Sequence, residues 1–295
     1  MPLVLGIDIG GSRTRGVLSD GGKVLAEAQV DGANPSALPE ATVASRLQAL
    51  IEKLGLPHGG QVAACCAGAA GSEVPGAGDR LTMIIRGLLP DARVKVVHDA
   101  YLVLAAADLA VGTAIIAGTG SVAFGRDARG VELRAGGWGW LLGDEGSGVW
   151  IVREAAREVL RRVDDGQEPG LLTTALMKAC AVDDPLEIRR VLQKMLEPEQ
   201  WASLAPVVFE VAASDSGAAG VLSRAAGALS DLALSVHARL GKPGPIVLAG
   251  GLLRHQPILE RAVRSRLEPH ARHVIRLDAP AVSGAIRLAE QLAAS

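Results

Sequence analysis

The fold is decided by the segment GIDIGGSRT, which occupies residues 6–14. It closes a short apolar run that begins at Leu3, and a second apolar run, residues 14–19, follows it. A Gly-Gly pair then precedes a third run, residues 24–30, so the pattern predicts an antiparallel meander of three strands. The segment opens a hairpin and lacks the spacing of a P-loop or of a dinucleotide-binding fingerprint.

The glycine turn in this segment has the chemistry of a phosphate site. Gly10 and Gly11 have no side chains, so a phosphate can approach their backbone N–H groups closely. We expect the hydroxyls of Ser12 and Thr14 to complete this anion site. We expect Asp8, at the end of the strand, to face a phosphate-bound magnesium ion through water. An ordinary hairpin turn is the simpler interpretation of the same residues.

The remaining sequence predicts two α/β halves. The first half continues with a helix over 38–55, a strand over 61–66, a helix over 79–89, a strand over 94–97 and a helix over 100–110. The second half repeats this order with strands at 113–117, 121–125, 131–134, 246–248 and 273–277, and with helices at 145–163, across most of 168–240, at 255–267 and at 281–293. Two α/β halves with glycine turns facing each other predict a cleft between them.

Two more glycine turns lie in the second half. The first consists of Gly118, Thr119, Gly120 and Ser121, and we expect it to bind phosphate. The second is the pair Gly250 and Gly251, which ends a strand before a helix. We expect this pair to pass beneath an adenosine.

In order, the motifs DIGGSRTR, GTGS and LAGG resemble those of the actin-like ATPase and sugar-kinase superfamily. The stretch GGWGWLLGDEGS, residues 136–147, is similar to the signature of the N-acetylglucosamine kinase group, which includes the BadF/BcrA-type ATPases. The resemblance implies an α/β fold with two actin-like (ribonuclease H-like) domains flanking a nucleotide and sugar cleft. It implies an N-terminal domain at 1–112, onto which the terminal helix (281–295) packs back, and a C-terminal domain at 113–280 with a helical insertion.

The resemblance also implies an activity, an ATP-dependent amino-sugar kinase that uses Mg²⁺ and forms a homodimer. It implies that Asp99, at the carboxyl end of a strand, accepts the proton of the attacking sugar hydroxyl, which we expect to be the C6 hydroxyl. The other implied contacts are to the sugar from Asn34, Gly137, Trp138 and Asp144, and to the nucleotide from Ser214. Structural interpretations stand beside these: Asp99 and Asp144 as helix caps and Asn34 as a turn residue.

The chain departs from the family pattern at three places. Ser12 replaces the usual Thr, and Val122 follows GTGS where the family often has Asn. The Gly that often precedes the family's Asp is absent around residues 213–216, which leaves the adenine-side contacts open.

The composition excludes several function classes. The 295 residues carry 30 basic and 32 acidic side chains, so the net charge of -2 gives no electrostatic reason to bind nucleic acid or an anionic membrane. Cys65, Cys66 and Cys180 cannot form a disulfide framework or a CxxC zinc pair, which favours a reducing, cytoplasmic location. No apolar run reaches the roughly 18 residues of a membrane helix. His98 is expected to point away from Asp99, because neighbours along a strand alternate.

Three other functions stay open. An ATP-driven switch of the benzoyl-CoA reductase activator type would need cysteines for an iron–sulfur cluster at a dimer interface, and their spacing offers no evident geometry. A ROK-type kinase or repressor would need clustered Cys and His ligands for zinc. A silent sugar-binding protein is disfavoured by the intact Asp8, Asp99 and Asp144.

The identity of the sugar is also open, among N-acetylglucosamine, glucosamine, N-acetylmannosamine and N-acetylmuramic acid. The small residues at 67–71 are expected to leave room for an acetamido or lactyl group. On that hypothesis, enlarging Gly68 or Ala69 would exclude the bulkier sugars.

Overall fold

The computed structural model describes residues 2–56, 61–72, 74–241 and 244–295, which form two compact units. Unit 1 contains the residues up to Ala110 together with Leu277–Ser295, and unit 2 is Val111–Arg276. Each unit has a mixed five-stranded sheet with helices packed against it. The predicted class, two actin-like α/β domains, is therefore confirmed.

Unit 1 is built on a sheet of order β3-β2-β1-β4-β5. Its strands are β1 (Leu3–Ile9), β2 (Arg13–Asp20), β3 (Lys23–Asp31), β4 (Ala64–Ala69) and β5 (Arg93–His98). Its helices are α1 (Glu40–Lys53), α2 (Ala77–Leu88), α3 (Asp99–Ala106) and α12 (Val282–Ala294). The first three strands form the antiparallel meander, and β4 and β5 run parallel to β1.

Strand β1 separates two packed layers of unit 1. Leu5, Ile7 and Ile9 alternate along it and are buried in the core that α1 and α2 cover. On its other side, a Cβ placed on Gly6 would lie 2.7 Å from the backbone nitrogen of Ile286 in α12. Glycine at position 6 therefore lets this helix lie directly against the strand.

The carboxyl ends of β1, β4 and β5 meet at one edge of the sheet. The register pairs Ile9 with Ala69 and Ala69 with His98, so the residues after each strand are neighbours. Gly10 and Asp99 begin the connections that leave this edge. This edge is where open α/β sheets bind their ligands.

Unit 2 repeats the strand order of unit 1, as β10-β9-β6-β7-β8. Its strands are β6 (Gly112–Ala117), β7 (Ser121–Arg126), β8 (Glu132–Gly136), β9 (Ile246–Ala249) and β10 (Val274–Arg276). Its helices are α4 (Gly148–Asp164), α5 (Leu171–Cys180), α6 (Pro185–Lys194), α7 (Pro198–Ala202), α8 (Ala205–Val211), α9 (Ser216–Arg239), α10 (Gly251–His255) and α11 (Pro257–Leu267). Strands β6 and β9 are parallel with Ile116 opposite Ala249, so the turns that follow them lie at one edge.

Two predicted helix boundaries in unit 2 differ from the structure. The helix predicted at 255–267 begins two residues later, at Pro257, which has no N–H group and suits the first turn of a helix, and a short helix that was not predicted, α10, precedes it. The helix predicted at 145–163 begins three residues later, at Gly148. No helix in the described ranges combines the length and apolarity needed to cross a membrane.

Candidate active site

The first half-site is the β1–β2 turn of unit 1. The Gly10 N–H donates a hydrogen bond to the Arg13 carbonyl at 2.9 Å, which closes the turn. Gly11 and Ser12 at its tip are exposed, and a Cβ on Gly11 would meet no heavy atom within 4 Å. The tip is therefore open enough for an anion to reach its backbone.

Thr14 has a different contact from the phosphate contact that the sequence predicts. Its side chain is fully buried, and its hydroxyl oxygen accepts a hydrogen bond from the Ala33 N–H at 3.0 Å. A Cβ on the preceding residue, Gly32, would lie 2.8 Å from the Gly10 carbonyl oxygen and would overlap the Gly11 carbonyl. Thr14 and Gly32 together hold the chain after β3 against the glycine turn. In the sequence, the DGAN motif at 31–34 was the feature that could have indicated this role of Gly32.

Asn34 lies on this same connection. Its side-chain Oδ1 accepts hydrogen bonds from the Ser36 N–H at 2.9 Å and from the Ser36 hydroxyl at 2.8 Å, which is the turn predicted as the alternative. A Cβ on Gly71 would lie 2.6 Å from the same oxygen. Asn34 therefore stands beside the connection that follows β4, at the ligand-binding edge of unit 1.

Asp99 begins α3 immediately after β5. Its Oδ1 accepts a hydrogen bond from the Ala100 N–H at 2.8 Å and lies 2.9 Å from Nδ1 of His98. His98 caps the helix and its Nδ1 also accepts from Ala100. The prediction that His98 points away from Asp99 is wrong, because strand alternation ends at His98 and the chain turns into a helix there.

The negative charge of Asp99 acts on the carboxyl group of Asp8. Burial, with a further contribution from the negative charge of Asp99, raises the pKa of Asp8 from 3.8 to about 6. The positive charges of Arg15 and Arg13 oppose this rise. A buried carboxylate whose charge is disfavoured by a second carboxylate is typical of a site that a cation completes.

The segment predicted to leave room for a sugar substituent is part of the packed interior of unit 1. Ala69 is fully buried, and a Cβ on Gly68 would overlap the side chain of Leu102 in α3. The hypothesis that Gly68 and Ala69 border the sugar is therefore wrong. Their small size instead allows close packing of β4 against its helices.

The second half-site is the β6–β7 turn of unit 2. The Gly118 N–H donates to the Gly120 carbonyl at 2.9 Å, and the Gly148 N–H at the start of α4 donates to the Gly118 carbonyl at 2.8 Å. Ser121 is buried and its hydroxyl donates to the Glu145 carbonyl at 2.8 Å. Thr119 lies half-buried in the turn. The start of α4 thus lies directly against the GTGS turn.

Asp144 is held against this turn. Its Oδ1 accepts a hydrogen bond from the Ser121 N–H at 3.3 Å, and a Cβ on Gly120 would lie 2.8 Å from its Oδ2. Burial raises the pKa of Asp144, against the opposing effects of the Ser121 N–H and of Arg153. The alternative that Asp144 caps α4 is wrong, because the Ser147 hydroxyl oxygen is the cap and accepts from the Trp150 N–H.

The loop between β8 and Asp144 exposes an indole ring. Trp138 is 64 % exposed, and the guanidinium carbon of Arg134 lies 5.0 Å from the centre of its ring. Trp140 faces inward, with its ring centre 6.2 Å from that of Trp201, and Arg153 Nη1 donates to its carbonyl at 2.8 Å. Gly137, exposed with a φ of 69°, allows the chain to turn into this loop.

The third glycine turn of the chain, at Gly250 and Gly251 in unit 2, depends on a glycine with no space for a side chain. Gly250 has a φ of 93°, and a Cβ there would lie 2.7 Å from the backbone nitrogen of Ala117 and closer still to its carbonyl oxygen. The neighbouring Gly251 begins α10, and a Cβ there would meet nothing within 4 Å. The LAGG turn therefore lies directly against the end of β6.

We expect Gly250→Ala to destabilise unit 2 by about 2 kcal/mol or more, because it combines backbone strain with steric overlap at Ala117. Gly251→Ala is the matched control, with an expected change below about 0.5 kcal/mol or a slight gain in helix stability. Urea unfolding of the two variants measures the difference. Equal stability of both variants would contradict the close approach of Gly250 to the Ala117 backbone.

Ser214 lies exposed in the turn before α9, next to a cavity of about 250 Å³. The cavity is mainly apolar and is lined by residues of the α8–α9 connection, α9 and α11, among them Ala213, Leu222, Ser223 and Arg266. Asp215 caps α9 by accepting from the Gly217 and Ala218 N–H groups, and it also accepts from the Leu172 N–H. These hydrogen bonds therefore fix the turn at the N-terminus of α9.

The chain is similar to proteins named as kinases and ATPases. The model of the BadF/BadG/BcrA/BcrD ATPase family matches residues 5–286. An N-acetylmuramic acid/N-acetylglucosamine kinase of Clostridium acetobutylicum is 36% identical over 178 residues, which is 58% of this chain and 58% of that protein. An N-acetyl-D-glucosamine kinase of Dictyostelium discoideum is 34% identical over 163 residues, 53% of this chain and 51% of that protein. The matched region thus spans just over half the length of these curated relatives.

Solved structures extend the likeness to the whole fold. A Chromobacterium violaceum protein assigned as an N-acetylglucosamine kinase has a TM-score of 0.75 at 26% identity, covering 98% of this chain and 99% of that one. A ROK family glucokinase from Streptomyces griseus, solved with glucose and AMPPNP, has a TM-score of 0.61 at 16% identity and 98% coverage of both chains. The sequence resemblance is confirmed: the chain belongs to the BadF/BadG/BcrA/BcrD ATPase family.

Proposed function

We propose that the protein is an ATP-dependent kinase of N-acetylglucosamine or a related amino sugar, and that it phosphorylates the C6 hydroxyl. The observation that carries the proposal is the pairing of Asp8 and Asp99 at the carboxyl edge of the unit 1 sheet, beside an open glycine turn. Phosphoryl transfer to a hydroxyl needs a proton acceptor, a cation and phosphate-binding N–H groups. Unit 1 supplies residues of all three types.

Asp99 is the proposed proton acceptor. Its side chain is 29% exposed, so it is available to a substrate while remaining ordered by Ala100 and His98. In the proposed step, its carboxylate orients the sugar hydroxyl and takes its proton as the oxygen attacks the terminal phosphorus of ATP.

Asp8 is the proposed ligand for Mg²⁺, through water. The fit rests on the raised pKa of Asp8, since a nearby cation would relieve both the burial of its charge and the repulsion from Asp99. A bound Mg²⁺ supplies charge neutralisation on the phosphate oxygens.

Each unit has a glycine turn that is suited to a phosphate of ATP. Gly10, Gly11 and Ser12 offer the open tip in unit 1, and Gly118, Thr119 and Gly120 offer the second turn in unit 2. Thr14 and Ser121 support these turns from within, because their hydroxyls are bonded to the protein. Gly250, Gly251, Ser214 and the apolar cavity next to Ser214 are assigned to the adenosine.

The sugar is assigned to polar groups and one exposed ring. The amide of Asn34 in unit 1 is suited to sugar hydroxyls. In unit 2, the carboxylate of Asp144 is suited to them as well, and the backbone at Gly137, earlier in the same loop, is assigned to the sugar. Trp138 presents an apolar ring of the kind that packs on the C–H face of a sugar.

Sugar-dependent release of ADP tests the proposal. With Mg²⁺ and ATP, we expect one or more of N-acetylglucosamine, glucosamine, N-acetylmannosamine and N-acetylmuramic acid to raise ADP release at least about tenfold over the sugar-free rate. Glucose is the comparison sugar, and omission of Mg²⁺ is expected to abolish the reaction. ATP hydrolysis that no sugar alters would refute a sugar kinase and favour an ATPase that acts on a protein partner. The expected homodimer is measured separately, by light scattering.

The ATPase-switch alternative has weaker support from the side chains. An activator with this fold, component A of (R)-2-hydroxyglutaryl-CoA dehydratase from Acidaminococcus fermentans, has a TM-score of 0.50 at 15% identity. Cys65 and Cys66 are fully buried in β4, and burial raises the pKa of each thiol. Iron–sulfur ligation uses accessible thiolates, so these cysteines favour the kinase over a cluster-bearing switch.

A further inference from the structure

The cavity next to Ser214 lies between α9 and α11 of unit 2 and has a volume of about 250 Å³. Alanine, leucine and isoleucine side chains occupy eight of its ten described lining positions. Such side chains make van der Waals contacts with the faces of a flat ring but do not distinguish one purine from another. Selection between bases by side chains therefore depends on the other two lining residues.

These two polar side chains are Ser223 of α9 and Arg266 of α11, and both residues are exposed. A Cβ on Gly227 of α9 would lie 4.0 Å from Arg266 Nη1, so the guanidinium reaches across from α11 to α9. Within the described ranges, this guanidinium has no hydrogen-bond or ion-pair partner. Its N–H donors are therefore available to a ligand in the cavity.

The hydrogen-bonding chemistry of Arg266 matches one purine better than the other. A guanidinium carries its N–H donors in a planar fork and cannot accept a hydrogen bond. On its N7 edge guanine presents two acceptors, N7 and O6, whereas adenine presents the acceptor N7 and the amino donor N6. Arg266 can therefore pair with both of these guanine atoms but with only one of the adenine atoms. The Ser223 hydroxyl both donates and accepts, so it suits either base.

We propose that the nucleotide site takes guanine as well as adenine, so that GTP also serves as phosphoryl donor, and that Arg266 is the side chain that recognises guanine. The inference rests on the proposed kinase function and on the assignment of this cavity to the nucleotide. The transfer is the same with either nucleotide. The sugar oxygen bonds to the terminal phosphorus, the bond from that phosphorus to the β-phosphate oxygen breaks, Asp99 takes the hydroxyl proton, and GDP leaves.

Four proteins and three nucleotides test this assignment. The proteins are the wild type, Arg266→Met, Arg266→Lys and, as control, Arg224→Met, which removes an exposed arginine of α9 outside the described lining. The nucleotides are ATP, GTP and ITP, whose base has the N7 and O6 acceptors of guanine without its amino group. With the sugar that most stimulates ADP release, we measure kcat/KM for release of each nucleoside diphosphate. Calorimetry gives the affinities of ADP and GDP independently of turnover.

We expect the wild type to use GTP and ITP with a kcat/KM within about tenfold of that for ATP. Arg266→Met should lower the GTP:ATP and ITP:ATP ratios of kcat/KM at least about tenfold, the scale of one paired contact to a base edge. Arg266→Lys should be intermediate, because an ammonium donates from a single point, and Arg224→Met should match the wild type. Equal losses with all three nucleotides would overturn the assignment, since Arg266 would then only shape the cavity. A wild type that favours ATP over GTP by more than the stated margin would overturn it too.

Failure of this inference and failure of the proposed function give different results. Arg266-dependent binding of GDP, without sugar-stimulated turnover of either ATP or GTP, would refute the kinase and keep the base assignment. Sugar-stimulated release of ADP, with neither turnover of GTP nor binding of GDP, would keep the kinase and refute the base assignment.

Discussion

Asp99→Asn should lower the sugar-dependent kcat by about 10³-fold, within the 10²- to 10⁴-fold range of general-base catalysis. An amide cannot take the proton from the attacking hydroxyl, so the transfer step loses its acceptor. The fold should be unchanged, because the Asn side-chain oxygen can still accept from the Ala100 N–H as Asp99 does now. Steady-state ADP release and thermal unfolding measure the two effects on the same preparation.

The matched control is Asp184→Asn, which removes the charge of another helix-start aspartate. Asp184 caps α6 by accepting from the Leu186 N–H, at a position with no assigned part in the chemistry. We expect its kcat to stay within about twofold of the wild type. If both variants kept full activity, Asp99 would be a capping residue only, and its catalytic assignment would fail.

Asp8→Asn should abolish sugar phosphorylation and, at the same time, stabilise the protein without nucleotide. The folded protein holds the Asp8 pKa near 6, above the ordinary value of 3.8, so ionising this carboxylate opposes folding. A rise of about two units corresponds to about 3 kcal/mol at a pH above 7. Asn carries no charge to bury, so the variant should gain up to about this much free energy of unfolding. The cost of burying the Asn amide without a full set of hydrogen bonds reduces that gain.

The raised pKa of Asp8 also predicts how the stability difference between the wild type and Asp8→Asn changes with pH. Asp8 is protonated in both states below pH 3.8, so wild type and variant should be equally stable there. The wild type then loses stability relative to Asp8→Asn as the pH rises through about 6, and the difference should be constant above about 7. Urea unfolding from pH 4 to 8 measures it, with the exposed Asp91→Asn as control. A difference that is constant across this range, or that falls with pH, would contradict the assignment.

The sequence predicted the fold best at positions where the backbone geometry requires one type of residue. Gly10, Gly118 and Gly250 follow strands in both units, and only glycine tolerates the close approach that the structure shows at Gly250. The family resemblance and the two-sheet α/β fold, which rest on such local signals, are confirmed.

The contacts that the sequence could not predict depend on elements distant in the chain. Thr14 bonds Ala33, and Gly68 meets Leu102, because strands and helices that lie far apart in sequence pack together. His98 was misjudged because the strand ends one residue before Asp99, and boundaries of one residue are beyond sequence patterns.

The contact of α12 with Gly6 has a consequence for the order in which the chain matures. Residues 282–294 complete the layer against β1, so this layer cannot close until translation has passed unit 2. Unit 2 is one continuous segment, Val111–Arg276, and its contacts can form while α12 is still unsynthesised. During that interval the α12 side of β1 lacks its covering helix, so the nascent chain exposes apolar surface that the finished fold buries.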